Sequence, residues 1–538
     1  MKNLPISTPP ATLIAALFLL LVLPVQAAAR GILAQESLNE ESIGQLASQA
    51  MKEFQVPGMA IGIVKDGKVF YAAGHGVREI GKPGAVDTDT MFRIASASKA
   101  FTTAALALLV DRGEVAWDGA VIDYLPELRM HDPWVTANIS LVDLLAHRSG
   151  LAPHAGDLLL WPVPNDYGKE DIIHALRYFP LERGFRRGYT YDNVLYIVAG
   201  EVVTRVSGQS WGEFVDENIM QALDMDRCFA GRVPERRMRN TAAPHGLVEG
   251  ELQVIERNRI PAEPTKFAPA GGVVCSLSDM LTWVQLQLDR GTAAEGERLF
   301  SEEQAERMWT PHNGLGVSRS ARELHGTNFS AYGLGWRLRD VHGYLEVSHT
   351  GSLDGMRAHA LMVPELDLGI VVLANGSSSA ARSAVMYTLE YAFLDTEPVD
   401  WLAYYLEQSA AAATEAAPGP DPADASATAA APLPPRELAT YAGLYRDPWF
   451  GDVTITETPG GLAFEAERSP QLSGPMAHHS GDQFFVRWND RSLEMDAFVR
   501  FDTDPGGRVR AMSLERKLED GQYDPDHFQY LDFTRVEQ

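Results

Sequence analysis

Apolar positions recur along this chain in distinct rhythms, and the changes of rhythm mark its elements. Met59–Val64 and Val69–Ala73 are apolar runs of strand length on either side of Asp66-Gly67, a dipeptide suited to a tight turn, so residues 56–74 predict a β-hairpin. From Ala100 to Val110 the chain reads AFTTAALALLV, apolar almost all round, which predicts a helix buried inside a large domain rather than an amphipathic surface helix. Strand patterning returns late, in Leu361–Val363 and in the continuous run Gly369–Leu373, which ends at Asn375-Gly376. Strands at both ends with helices between them predict one α+β domain, over residues 36–400, whose sheet joins distant parts of the chain.

Between residues 408 and 435 the pattern lapses into Ala, Pro, Asp and Thr with almost no large apolar side chains, a composition that cannot bury a core. This segment reads as a linker. An Ala-rich helix is the competing reading, opposed by Pro418, Pro420 and Pro422. Beyond it, Val453–Thr456, Leu462–Glu465, Phe484–Trp488, Phe498–Phe501 and Val509–Leu514 are short strand-like runs. Pro459-Gly460-Gly461 and Pro505-Gly506-Gly507 fall between some of them, so residues 436–538 predict a small antiparallel β-barrel-like domain.

Composition adds limits. The 538 residues carry 46 Lys and Arg against 72 Asp and Glu, a formal net charge of −26, and such an acidic surface excludes a nucleic-acid partner. Lys2, an apolar run from Ala11 to Val25 and small residues at Ala27–Ala29 read as a signal peptide over residues 1–29, which places the mature protein in the periplasm or outside the cell. An uncleaved anchor is the alternative, but Pro24 ends a run shorter than the roughly 20 apolar residues a span needs. No later segment is apolar enough to cross a bilayer. The two cysteines, Cys228 and Cys275, are read either as a pair or as buried free thiols.

Candidate chemistry begins with Ser96-Ala97-Ser98-Lys99 at the head of the buried helix, a spacing that puts Ser96 and Lys99 on one face of its first turn. A hydroxyl needs a base to become a nucleophile, and a Lys in a water-poor pocket has its pKa lowered toward that role. The helix N-terminus would also aim backbone N–H groups at an oxyanion. S-x-x-K alone arises by chance in most chains of this length. Further elements follow, in order. Tyr191-Asp192-Asn193 precedes an apolar helix, where Tyr191 would shuttle a proton and Asn193 would hold Lys99 and a substrate carbonyl. His349-Thr350-Gly351-Ser352 precedes the strand Gly369–Leu373, where a strand edge would leave Gly351 slim for substrate and offer the Ser352 N–H to the oxyanion. No H-E-x-x-H, Cys-x-x-Cys, G-x-S-x-G or phosphate-binding Gly loop occurs, so neither a metal nor another cofactor is expected.

Together these elements resemble the serine beta-lactamase and penicillin-binding-protein superfamily, in its branch of class C beta-lactamases, DD-peptidases and esterases. PGMAIGIVKDGKVFYAAGHG, FRIASASKAFTTAALALLVDRGEV, DYLPEL, LLAHRSGL, PAGGVVCSLSDM and HTGSLDG resemble family segments in family order, over about residues 40–395. The resemblance implies that Ser96 is acylated, Lys99 is its base partner and Tyr191 the proton relay, with Asn193 alongside. It also implies that His349 and Thr350 line the pocket with Gly351, and that the amides of Ser96 and Ser352 form the oxyanion hole. The segment starting TYAGLYRDPW resembles the lipocalin-like domain often appended to such hydrolases.

Two departures bear on substrate. His349 stands where a typical beta-lactamase has Lys, and a mostly neutral His holds a beta-lactam carboxylate poorly, which shifts the expectation toward peptide or ester substrates. Phe185-Arg186 replaces the usual Pro-Gly before Tyr191, and the basic loop Arg183–Gly188 reads either as an anion contact or as a solvated turn. The expectation is an exported, cofactor-free serine hydrolase acting through an acyl-enzyme on D-amino-acid peptides or small esters. The alternatives are a class C-like beta-lactamase and a non-catalytic penicillin-binding or oligomer-forming relative.

Overall fold

A computed structural model describes residues 33–294, 296–415, 433–493, 495–516 and 528–537. The signal-peptide reading and residues 416–432 of the expected linker lie outside these. The predicted hairpin is present: β1 (Gly58–Lys65) and β2 (Lys68–Gly76) close at Lys65 and Lys68. Asp66 and Gly67 both take positive φ, 52° and 67°, the twist that matches paired strands. Three short strands follow, β3 (Met91–Arg93), β4 (Cys228–Phe229) and β5 (Val274–Ser276), pairing in the order β3-β5-β4. Cys228 lies directly opposite Cys275 in this ladder, and the two are joined as a disulfide, so the free-thiol reading falls.

The main sheet is completed late in the chain by β6 (Asn313–Gly314), β7 (Ser330–Tyr332), β8 (Arg337–Val341), β9 (Tyr344–Leu353), β10 (Met356–Val363) and β11 (Leu368–Ala374). Its order is β2-β1-β11-β10-β9-β8-β7-β6, antiparallel throughout, so the first hairpin zips onto the last strand. β11 is buried along its whole length because helices cover both faces. One face takes α1 (Glu40–Glu53), α5 (Ser379–Tyr391) and α6 (Trp401–Glu415); the other takes α4 (Leu277–Leu288). Gly369 is required there, since a Cβ would stand 2.2 Å from the Val284 side chain of α4. The continuously apolar segment forms α2 (Lys99–Asp111), buried from Lys99 through Leu109, and α3 (Asn193–Ser207) packs beside it. Among the described residues, no helix is long and apolar enough to cross a membrane.

Residues 408–415 depart from the linker reading. They continue α6, which docks on α5 through Trp401 and Leu402, as the competing helical reading has it for these residues. The C-terminal segment is a closed eight-stranded antiparallel barrel: β12 (Gly443–Asp447), β13 (Gly451–Thr458), β14 (Gly461–Ala466), β15 (Ser473–Ser480), β16 (Gln483–Val486), β17 (Ala497–Thr503), β18 (Val509–Arg516) and β19 (Phe533–Arg535). The sequence pattern found five of these strands; β12, β15 and β19 carry too few consecutive apolar residues to stand out. Tyr445, Phe464, Phe484, Trp488 and Phe501 are buried in this domain.

The barrel is docked, not tethered. Arg468 makes a bidentate ion pair with Asp171, the Tyr167 hydroxyl donates to the Phe450 carbonyl at 2.7 Å, and Phe179 packs between Trp449 and Tyr530. Apolar residues of both domains join in one continuous core.

Candidate active site

Ala95–Ser98 form a 3₁₀ turn that runs directly into α2, so Ser96 and Lys99 share a face as the spacing predicts. Ala95 holds φ at 47°, a left-handed conformation that costs a non-glycine residue about 1–3 kcal/mol and turns the chain sharply just before Ser96. Lys99 is fully buried, and its Nζ meets three acceptors: Asn193 Oδ1 at 2.8 Å, the Ala270 carbonyl at 2.8 Å and Ser96 Oγ at 3.4 Å. The rings of Tyr191 and Tyr196 lie 4.7 and 5.1 Å from the same atom. Burial lowers the Lys99 ammonium to about 7, opposed by the charge of Asp157 and aided by that of Arg337.

Tyr191 stands at the mouth of α3 and lines the same cleft as Ser96. Burial raises its phenol well above the usual range, against a smaller lowering by the neighbouring Ser96 hydroxyl, so the ring carries its proton at neutral pH. Asn193, the first residue of α3, divides its amide. Oδ1 accepts from Lys99 and Nδ2 donates to Asp157 Oδ2 at 2.9 Å, which commits half of the donor capacity expected for substrate.

The HTGS element lies on β9. Two hairpins fix which of its backbone groups are free: β8–β9 closes at Val341/Tyr344 and β9–β10 at Leu353/Met356, each through a two-residue turn. Hydrogen-bonded pairs alternate from those closing pairs, and both hairpins give the same answer: even-numbered residues of β9 point their N–H groups away from β10. The β8 pairing stops at Arg337/Ser348, so the N–H groups of Thr350 and Ser352 face an open strand edge. Gly351 serves differently from the sequence reading. A Cβ there would stand 2.0 Å from the Ile94 carbonyl, so the glycine makes room for the backbone carrying Ser96, not for substrate. Its carbonyl accepts from the buried Arg382 guanidinium at 3.3 Å.

His349 is buried with both nitrogens committed. A carbonyl only accepts, so Nδ1–H donates to the Thr350 carbonyl at 2.7 Å and Nε2 accepts from the Tyr332 hydroxyl at 2.7 Å. Burial first, then the charges of Arg337 and Lys99, hold its pKa well below the usual value, so it is neutral. Positive charge at the cleft comes instead from arginines, among them Arg337 on β8, which donates to the Tyr189 hydroxyl at 3.0 Å.

Ser96, Tyr191, Asn193, His349, Thr350 and Ser352 line one cleft of about 540 Å³, with Lys99 and Gly351 directly behind them. Arg183–Gly188 does not line it. Arg186 is bound to the buried carboxylate of Asp143, shared with Arg148, which gives that arginine a structural role, while Arg183 and Arg187 are exposed. Sequence reasoning missed Asp157, Arg337 and Tyr332, and also Leu493, Met495 and Arg516, which reach the cleft from the barrel. Only Arg337 left a trace, as a charge between Trp336 and Leu338 in a strand.

The beta-lactamase family model matches residues 43–393, which spans the sheet, α2, α3 and the sequence-predicted site residues from Ser96 to Ser352. This chain belongs to the beta-lactamase family. As a member of that family it is a serine hydrolase. A second family model, a domain of unknown function (DUF3471), matches residues 427–534, the barrel region. The chain is 27% identical over 432 residues to unguisins hydrolase ungD' of Aspergillus campestris, covering 77% of each. It is 29% identical over 337 residues to penicillin-binding protein 4 of Amycolatopsis lactamdurans, covering 60% of this chain and 82% of that one. The octameric penicillin-binding protein homologue from Pyrococcus abyssi shares its fold with TM-score 0.57 at 19% identity, over 93% of this chain and 100% of that one. For the class C beta lactamase from Rhodobacter sphaeroides the TM-score is 0.53 at 22% identity, over 64% and 99%.

Proposed function

We propose that this beta-lactamase family member is an exported peptidase that cleaves short D-amino-acid peptides through an acyl-enzyme on Ser96, with small esters as secondary substrates. The observation that carries the reading is the disposition of hydrogen bonds around Lys99. In the neutral amine two N–H groups go to Asn193 Oδ1 and the Ala270 carbonyl, which leaves the lone pair for the Ser96 hydroxyl. A pKa lowered to about 7 populates that amine at physiological pH, whereas Tyr191, raised by burial, stays protonated. Lys99 is therefore the base, and Tyr191 the relay.

Ser96 Oγ bonds to the substrate carbonyl carbon as its proton passes to Lys99, and the carbonyl oxygen takes the negative charge against the N–H groups of Ser352 and Ser96. On collapse the carbon–nitrogen bond breaks, and the leaving amine receives the proton from Tyr191, which is restored from Lys99. Water then repeats the sequence in reverse and frees the acid. Arg337, the charge that the neutral His349 does not supply, is placed to hold the carboxylate of a peptide C-terminus.

The kcat/KM for an acylated D-alanyl-D-alanine dipeptide, compared with its C-terminal amide, tests this. The reading predicts at least a tenfold preference for the free carboxylate, lost in Arg337→Met; equal rates for both in the wild type contradict it. Arg337 also favours a second reading, beta-lactam hydrolysis, because penicillins carry a carboxylate too. Rapid turnover of penicillin, in place of a persistent adduct, would select it.

A further inference from the structure

The barrel does more than dock: it supplies part of the cleft. Leu493 and Met495, from the loop between β16 and β17, and Arg516, at the end of β18, line the same cleft as Ser96. That loop is bound to the strand that carries the HTGS element. Arg257, with 5% of its side chain exposed, donates to Asp354 Oδ2 at 2.8 Å in the β9–β10 turn and to the Ser492 carbonyl at 2.9 Å, and its Nε lies 3.4 Å from Asp490. One guanidinium thus ties the turn that follows Ser352 to the barrel loop. The remaining docking contacts, Arg468 with Asp171 and Phe179 between Trp449 and Tyr530, fix the barrel from other directions.

The hydrolase domain meets this wall with apolar side chains of its own, Leu158, Trp161 and Val163. Apolar groups contributed by two domains to one concave site bind what loses by staying in water, a hydrocarbon side chain or acyl group. We propose that Leu493 and Met495 of the barrel, with Trp161 and Val163, form an apolar subsite beside Ser96. The barrel thereby limits substrates to short peptides or acyl groups with a hydrophobic side chain. The proposal rests on the acyl-transfer reading above. It gives the C-terminal domain a role in specificity: the wall is built into the fold and needs no movement to form.

Fluorophosphonate probes test it without knowledge of the natural substrate, by their rates of covalent labelling of the full chain. One probe carries a methyl group, another a phenylalkyl group and a third a long polyether arm. The wild type is expected to label at least tenfold faster with the phenylalkyl probe than with the polyether one. In Leu493→Ala/Met495→Ala that ratio falls at least tenfold while methyl-probe labelling stays within twofold. An unchanged ratio in a variant that melts cooperatively overturns the subsite. Leu493 is buried, so if the double variant loses its cooperative melt, Met495→Ala, at a half-buried position, carries the same comparison. Absence of labelling by every probe in the wild type is a different failure, since it overturns the acyl-transfer reading and the subsite with it.

Discussion

Asp157 and Lys99 are joined through a single side chain: the amide of Asn193 donates to Asp157 Oδ2 at 2.9 Å and accepts from Lys99 Nζ at 2.8 Å. The amide links the two groups, and the charge of Asp157 raises the pKa of the lysine against the burial that lowers it.

The pH dependence follows from this. Burial lowers Lys99 from 10.5 to about 7, so its amine form is gained as pH rises through about 7. The rate of Ser96 acylation by a neutral probe is expected to rise about tenfold per pH unit below that midpoint and to level off above it. Stability carries the same sign. An unfolded chain binds a proton at Lys99 where the folded one does not, so the stability associated with Lys99 is complete above about 10.5 and is lost as pH falls toward 7. A labelling rate that is flat from pH 5 to 9 contradicts the assignment of Lys99 as base.

Two substitutions should move that midpoint in opposite directions. Asp157 raises the Lys99 pKa and Arg337 lowers it, so Asp157→Asn is expected to shift the acylation midpoint below 7 and Arg337→Met to shift it above. Shifts of the same sign, or none in either variant, would show that another group titrates.

Gly351→Ala tests the close approach of β9 to the backbone ahead of Ser96. The added Cβ meets the Ile94 carbonyl at 2.0 Å, and a backbone atom cannot step aside as a flexible side chain can. A loss of about 3 kcal/mol in denaturant unfolding is expected, with acylation slowed by about two orders of magnitude as Ser96 is displaced from the oxyanion donors. Wild-type stability and rate together would mean that the strand and the Ser96 turn are not packed this way.

Much of this was legible in the sequence because it is local. The hairpin at Asp66-Gly67, the all-apolar α2 and the three-residue spacing of Ser96 and Lys99 are fixed within a few residues of one another, and the structure places each where the pattern put it. What escaped is non-local. Asp157 and Arg337 are single charges whose meaning comes from Asn193, from Lys99 and from the cleft they share, 36 residues away in the case of Asp157 and Asn193. Gly351 was legible as a glycine that matters but not as the neighbour of Ile94, a contact made only once β9 and the Ser96 turn are folded together. The role of Leu493 and Met495 depends on how a second domain docks, which no short pattern encodes.

Intact-protein mass spectrometry of the wild type and Ser96→Ala, each exposed to a small fluorophosphonate and to penicillin, tests the central claim most directly. A single stoichiometric adduct on the wild type, absent from a folded Ser96→Ala variant, is the predicted result. An adduct that survives in Ser96→Ala, or no adduct from either reagent on folded wild type, would contradict the assignment of Ser96 as the nucleophile.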